Sequence, residues 1–256
     1  LNQFSKDYKI LKKKCERLLN LGANEIALLF DDLPNNFSSQ HIHLNAEGEI
    51  HAQLSNKLSL NLKKSIYVVP RIYSNELFLD GINYLKEFGN TINPNLSCFY
   101  CGNYIVEKSF NKISLEKISK ILPTKIVIWD NFYANDYCPR RLFLGPLKGR
   151  SGIDNIMINA TGLIETDLYI LDVVKATKNN LNTDISWKKV LKKYKVPSIF
   201  NEISHFFLKP NFTNDTVKLE FIINERIIKA LDNLLWQWKT PLAREWYPFL
   251  LGLKHD

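Results

Sequence analysis

Ile26-Ala27-Leu28-Leu29-Phe30-Asp31-Asp32, followed at once by Leu33 and Pro34, is the stretch on which the reading of the fold turns. Five apolar residues in a row between polar segments predict a short strand buried on both faces. Two carboxylates stand where that strand must end. Neighbours along a strand point to opposite faces, so Asp31 and Asp32 line one site only if the chain turns there. Pro34 favours such a turn, because its ring fixes its own φ and restricts Leu33. In parallel α/β folds the carboxyl ends of strands are where ligands bind. The competing reading makes one Asp the cap of the next turn and leaves the other solvated.

Four more segments of the same kind follow: Ser65–Pro70, Leu96–Tyr100, Lys125–Trp129 and Asn155–Ile158. Helical patterns separate them. Tyr8, Leu11, Cys15, Leu18 and Leu19 give 4–21 helical spacing, with Gly22 as C-cap. Ile50–Leu62 reads as a helix, Asp80–Phe88 as one that closes at Gly89, 114–121 as one capped by Ser114, and Glu165–Lys178 as the last of the series. Short apolar strands alternating with helices predict a parallel sheet with helical crossovers. No Gly-x-Gly-x-x-Gly follows any strand, which argues against a nucleotide-binding doubly wound sheet. Polar residues end every strand: Asp31 and Asp32, Tyr73, Cys101, Asp130 and Asn131, and Asn159. A ring of such positions suits a (β/α)8 TIM barrel. Five βα units do not close an eight-unit barrel, so the expected fold is an incomplete one.

Beyond Asn180 helical patterns dominate, at 187–194, 199–207 and 217–238, with a linker at 209–215. The expected division is 1–180 as a partial barrel and 181–256 as a helical domain. Trp236, Trp238, Trp246, Tyr247 and Phe249 crowd its end, and packing is the expected use of these rings.

Composition narrows the function classes. The 256 residues carry 34 Lys and Arg against 26 Asp and Glu, a net charge of +8. The lysine runs at 12–14 and 188–195 fall in helical patterns, where they form solvated faces, and no nucleic-acid motif accompanies them. A nucleic-acid partner is therefore not expected. No apolar run of about 18 residues marks a membrane span, and no signal peptide opens the chain. Its first residue, Leu1, suggests a fragment or a processed product, and a cytoplasmic location is favoured. Cys98 and Cys101 have redox or zinc spacing, but no second pair completes a zinc set. His41 and His43 lie in the polar loop after Asp32. With the two aspartates they form an alternative metal-ligand group, or else they belong to a mobile or packing loop.

Several longer motifs occur in order: Ala-Leu-Leu-Phe-Asp-Asp at 27–32, His-Ala-Gln at 51–53, Ile-Trp-Asp-Asn at 128–131, Ala-Asn-Asp-Tyr at 134–137, and Arg-Leu-Phe-Leu-Gly-Pro-Leu-Lys-Gly-Arg at 141–150. From about Phe4 to Lys178 the chain resembles the catalytic domain of the O-GlcNAcase (hyaluronidase-like) family, glycoside hydrolase family 84. The helical end is similar in position to that family's stalk domain. The resemblance implies a (β/α)8 barrel, here without its first three strands, that removes terminal β-linked N-acetylglucosamine with retention. It implies no cofactor and no metal, and a partner that is a GlcNAc-bearing glycan or glycoprotein. By resemblance Asp31 orients and polarises the 2-acetamido group, and Asp32 is the general acid and later the base. Asn131 lies near the acetamido group. Asp136 and Asn159 hold sugar hydroxyls, with Tyr137 beside Asp136 among the substrate contacts. Tyr73 and Trp129 line the acetamido pocket.

Three positions depart from the family pattern: Ile72 where a Glu precedes the Tyr, Tyr100-Cys101-Gly102 in place of Trp-Thr-Gly, and Asn159-Ala160-Thr161 in place of Asn-Pro-Asn. From the residues alone other readings stay open: Asn131 and Asn159 as helix caps, Tyr73 and Trp129 as packing.

The implied chemistry is consistent with the spacing. A standard retaining glycosidase sets its two carboxylates about 5 Å apart across the sugar. Adjacent residues at one strand end do not easily flank a ring, so the nucleophile should be the substrate's own acetamide oxygen. Two neighbouring carboxylates repel when both are ionised, which raises the pKa of at least one and suits an acid working near neutral pH. The rival functions are a GlcNAc-binding barrel without turnover and a metal-dependent hydrolase using the aspartate pair.

Overall fold

The computed structural model describes residues 2–31, 33, 46–178, 180–210 and 224–255. They fall into two compact units, 1–105 with 111–129, and 106–110 with 130–256, so the division runs through a strand, between Trp129 and Asp130.

The first unit opens with α1 (Asn2–Asn20) and β1 (Ala27–Leu29). It continues with α2 (Glu47–Leu62), β2 (Tyr67–Val69), α3 (Phe78–Thr91), β3 (Ser97–Tyr100), α4 (Lys112–Ile121) and β4 (Lys125–Asp130). The strands pair in parallel in chain order: Ala27 opposite Tyr67, Val68 opposite Cys98, Phe99 opposite Val127. Each crossover is a helix, as parallel neighbours require. Alternation along the strands sorts the side chains. Val68, Cys98 and Tyr100 join Leu58, Leu85, Phe88 and Leu122 in a core under the helices. On the alternate positions Phe99 stacks with Tyr67 at 5.2 Å and meets the edge of Trp129 at 5.2 Å.

Several expectations need correction. β1 is not buried on both faces. Among the described residues it pairs with β2 alone, Ala27 is exposed and Leu29 is 48% exposed. The apolar run reflects the buried Ile26 and Phe30 that flank it. Gly89 does not end its helix: α3 runs through it to Thr91, and the break comes earlier, at the non-helical Gly81. Gly89 is instead a close-approach point. A Cβ there would lie 1.8 Å from the Ile121 carbonyl oxygen at the end of α4. Gly89→Ala is expected to cost on the order of 1–3 kcal/mol, because backbone must move to admit the methyl. Urea unfolding measures this, and a loss below about 0.5 kcal/mol, the scale of a neutral surface change, contradicts it. Ser114 does not cap α4. Asn111 does, its Oδ1 accepting the Ile113 N–H at 2.8 Å.

The second unit holds β5 (Ile156–Ile158), α5 (Ile164–Thr177), α6 (Thr183–Lys193), α7 (Glu225–Gln237) and α8 (Pro241–His255). The 199–207 segment forms two short 3-10 turns, Ser198–Glu202 and Ser204–Phe207, rather than an α-helix. Most of the linker expected at 209–215, and 217–223 of the last helical pattern, lie outside the described residues. Trp246 is the largest fully buried side chain, among Tyr169, Phe200 and Trp238. Its indole N–H donates to the Thr166 hydroxyl at 3.1 Å. Nearby, Glu245 accepts the Glu165 and Thr166 backbone N–H groups at 3.0 and 2.8 Å. α5 has no cap of its own, so a carboxylate from α8 satisfies its first turn. Four of the five crowded aromatics thus pack as expected, while Trp236 is 57% exposed. Among the described residues no helix is long and apolar enough to cross a membrane.

Candidate active site

In the first unit the turn after β1 forms as expected. The Phe30 N–H still pairs with the Val69 carbonyl at 2.9 Å, and the Leu33 N–H then turns back to the Phe30 carbonyl at 3.3 Å. Asp31 sits in that turn, half-buried, directly beyond the strand. Asp32, His41 and His43 lie outside the described residues.

The turn is held from behind. Phe30 stacks face to face on His51 of α2, with centroids 4.1 Å apart and planes 7° from parallel. His51 is buried, with Nδ1 3.0 Å from the Tyr84 hydroxyl, which also accepts the Arg71 N–H at 2.9 Å. The Arg71 guanidinium forks onto Glu47 at 2.6 and 2.8 Å. Strand ends β1 and β2 are thereby tied to the first turns of α2. This explains the His-Ala-Gln motif: its histidine supports the residue preceding Asp31. Burial pushes the His51 pKa down to about 4, although Glu47 pulls it up and Arg71 adds to the fall.

That depression has a consequence for stability. An unfolded histidine takes up its proton near pH 6.5, which the folded chain resists until about pH 4. The contribution is whole above about pH 6.5 and is lost as pH falls from there towards 4, on the order of 3 kcal/mol at the acid end. Urea unfolding at pH 7 and pH 4.5 should show the loss in the wild type and a shallower one in His51→Asn. Equal losses in both would assign the acid sensitivity elsewhere.

Tyr73, half-buried, follows β2, and its carbonyl accepts the Cys101 N–H at 2.7 Å. Next to it, Tyr100 donates to Asn75 Oδ1 at 2.6 Å, and Asn75 donates to Asn103 at 2.7 Å. Trp129, half-buried near the end of β4, keeps its edge on Phe99. Cys98 and Cys101 are both buried free thiols, and burial pushes Cys98 up to about 11, far from a reactive thiolate.

In the second unit two expected residues meet. Asn159 donates from Nδ2 to Asn131 Oδ1 at 3.0 Å, and its backbone N–H donates to the Asp130 carbonyl at 2.9 Å. Asn131 is buried to 8% exposure, and Asn159 is half-buried. Neither caps a described helix; the helix after β5 takes its cap from Glu245. Asp136 and Tyr137 stand on an exposed double turn, closed by the Cys138 N–H on the Asn135 carbonyl and the Arg141 N–H on the Cys138 carbonyl. Asp136 Oδ1 accepts the Tyr137 N–H at 2.9 Å.

Beneath the asparagines lies a group that motif reading alone did not resolve. Asp130 and Arg150 form an ion pair with no exposed side-chain area on either partner. Arg150 donates to both Asp130 oxygens at 2.8 and 2.9 Å and to the carbonyls of Glu107, Lys108 and Lys148 at 2.6–2.7 Å. Its guanidinium lies 5.1 Å from the Phe132 ring centre and 5.2 Å from that of Phe110. Gly149, at φ +74°, brings the chain against Ser109, where a Cβ would lie 2.6 Å from the serine Cβ. The ten-residue motif ending in Arg150 carried the signal, but nothing in it says the arginine is buried.

The model for a family described as β-N-acetylglucosaminidase matches residues 2–207, most of the chain. The chain belongs to that family. Among curated relatives, the protein O-GlcNAcases of Mus musculus and Rattus norvegicus are 34% and 33% identical over 155 and 158 residues. These segments make up 57% of this chain and 17% of each relative, so the chain spans about a sixth of their length. Among solved structures, a variant of the O-GlcNAc hydrolase of Thermobaculum terrenum superimposes with a TM-score of 0.75. It covers 98% of this chain and 62% of that one, at 17% identity, a likeness of fold. The family motifs fall on the ends of β1 and β4, on α2 at 51–53 and on the loops that follow β4, and the α/β fold with its parallel strands agrees with the expected class.

Proposed function

We propose that the chain carries the catalytic aspartate pair of a retaining β-N-acetylglucosaminidase that uses the substrate's acetamide as its nucleophile. The observation that carries this reading is Asp31, half-buried in a turn immediately after a parallel strand, in a chain of this family. In this account residues 1–180 are part of a (β/α)8 barrel and 181–256 are a helical unit.

Asp31 accepts the acetamido N–H and so sharpens the carbonyl oxygen that attacks C1. Asp32 protonates the departing glycosidic oxygen, then takes a proton from the water that opens the oxazoline. No metal or cofactor takes part. Asn131 supports the acetamido group. Asn159 and Asp136 accept or donate to sugar hydroxyls, with Tyr137 beside them. Tyr73 and Trp129 close round the acetamido methyl. Neutral amides are suited to this work, since they orient a sugar without adding charge beside two carboxylates. The substrate is a GlcNAc-bearing glycan or glycoprotein, as the names of the mouse and rat relatives suggest.

The test is hydrolysis of a β-N-acetylglucosaminide with a poor leaving group by the intact gene product, beside Asp31→Ala and Asp32→Ala. Turnover that falls in both variants supports the reading. Binding of GlcNAc by a folded wild type without turnover contradicts it and favours a binding barrel. Turnover abolished by a chelator also contradicts it.

A further inference from the structure

The geometry points to Arg150, acting through Asp130, as the residue that positions Asn131 and Asn159. This rests on the reading of those two asparagines as substrate contacts.

Asp130 makes two contacts beside Asn131, one from its backbone and one from its side chain. The Asp130 backbone carbonyl holds the Asn159 N–H at 2.9 Å. The Asp130 side chain accepts the Phe132 N–H through Oδ1 at 3.0 Å. Between these anchors the Asn131 side chain takes the Asn159 amide. The direction of Oδ1 therefore sets the turn that carries Asn131. Arg150 fixes that direction, because its planar fork grips both carboxylate oxygens at once.

Burial for stability alone does not account for the pair. A buried ion pair is commonly no more stable than apolar side chains of the same volume. Leu and Met in its place would fill the space but present no oxygen to the Phe132 N–H. Arg150 also gathers the carbonyls of Glu107, Lys108 and Lys148, so the two loops beside the strand end converge on one guanidinium. Lysine has one ammonium and no fork, so it cannot replace this arrangement in full. Arg150 is thus a positioning residue, two steps removed from substrate: guanidinium to carboxylate, carboxylate to the turn that bears the amide.

The paired substitution Asp130→Leu with Arg150→Met, made in the intact gene product, separates positioning from packing. The first readout is the side-chain amide NMR signals of Asn131 and Asn159, assigned by substitution of each residue in turn. In the folded double variant the Asn159 amide protons should move to the shifts of solvated asparagine and exchange with water faster. The second readout is kinetic: kcat on an aryl β-N-acetylglucosaminide should fall about 10–100-fold, the scale known for partners that orient metal ligands, with KM nearly unchanged and the thermal midpoint held.

A folded double variant with unchanged amide signals and unchanged kcat would overturn the inference and leave the pair a packing element. If the double variant does not fold, Arg150→Lys is read by the same amide signals, expected at intermediate shifts; wild-type shifts there would overturn the inference. If the wild type itself does not turn over the glycoside, the proposed function fails, and the amide signals still decide whether Arg150 positions the asparagines.

Discussion

Asp32→Ala is expected to lose roughly 10²–10⁴-fold in turnover on glycosides with poor leaving groups, the range of general acid catalysis. It should lose far less on those with good ones. An alcohol leaves as an alkoxide unless it is protonated, so removing the acid exposes the full basicity of the departing oxygen. A nitrophenolate needs little protonation and hides the defect. Asp31→Ala should behave differently. Its carboxylate helps form the oxazoline whatever the leaving group, so the loss should be of similar size across the series, on the order of 10²–10³-fold for one electrostatic contact made in the transition state. Plotting log kcat/KM against leaving-group pKa for the two variants separates the roles. A steep slope for Asp31→Ala and a flat one for Asp32→Ala would reverse the assignment.

Arg150→Ala is expected to destabilise the second unit by about 3–5 kcal/mol, because it leaves the Asp130 carboxylate buried without its countercharge. That is a large fraction of the stability of most domains, so the single variant should accumulate poorly. Adding Asp130→Leu should recover most of the loss, since the penalty comes from the stranded charge and not from the lost pair as such. Urea unfolding of the single and double variants gives the coupling directly. Additive losses would mean that the two side chains act independently, contrary to the 2.8 and 2.9 Å contacts between them.

Much of the fold was legible because parallel strands are short and apolar while their crossovers have a helical period. All five segments read as strands contain strands in the structure, each shorter than or close to its apolar run. What escaped was decided by tertiary neighbours. The exposure of Leu29 depends on what lies beside β1, which the local pattern does not encode. Gly89 reads as a stop in one dimension and as a contact with Ile121 in three. Ser114 and Asn111 are both acceptable caps by type, and the choice depended on where the chain entered α4. For the candidate site, the strand pattern placed Asp31, Tyr73, Trp129, Asn131 and Asn159 at or just beyond strand ends. The meeting of Asn131 with Asn159 follows from the Asn159 N–H bonding to the Asp130 carbonyl, a long-range contact that the local pattern does not encode. Arg150 was hidden for a different reason. An arginine in a polar, glycine-containing loop reads as surface, and only the convergence of Asp130 with three carbonyls makes its burial possible.

The most direct test of the central claim is the rate of the intact gene product on aryl β-N-acetylglucosaminides carrying zero, one, two or three fluorines on the acetamide methyl. If the acetamide oxygen is the nucleophile, each fluorine withdraws electrons from it, and log kcat/KM should fall steeply and evenly along the series. A rate indifferent to fluorination would exclude acetamide participation and with it the role assigned to Asp31.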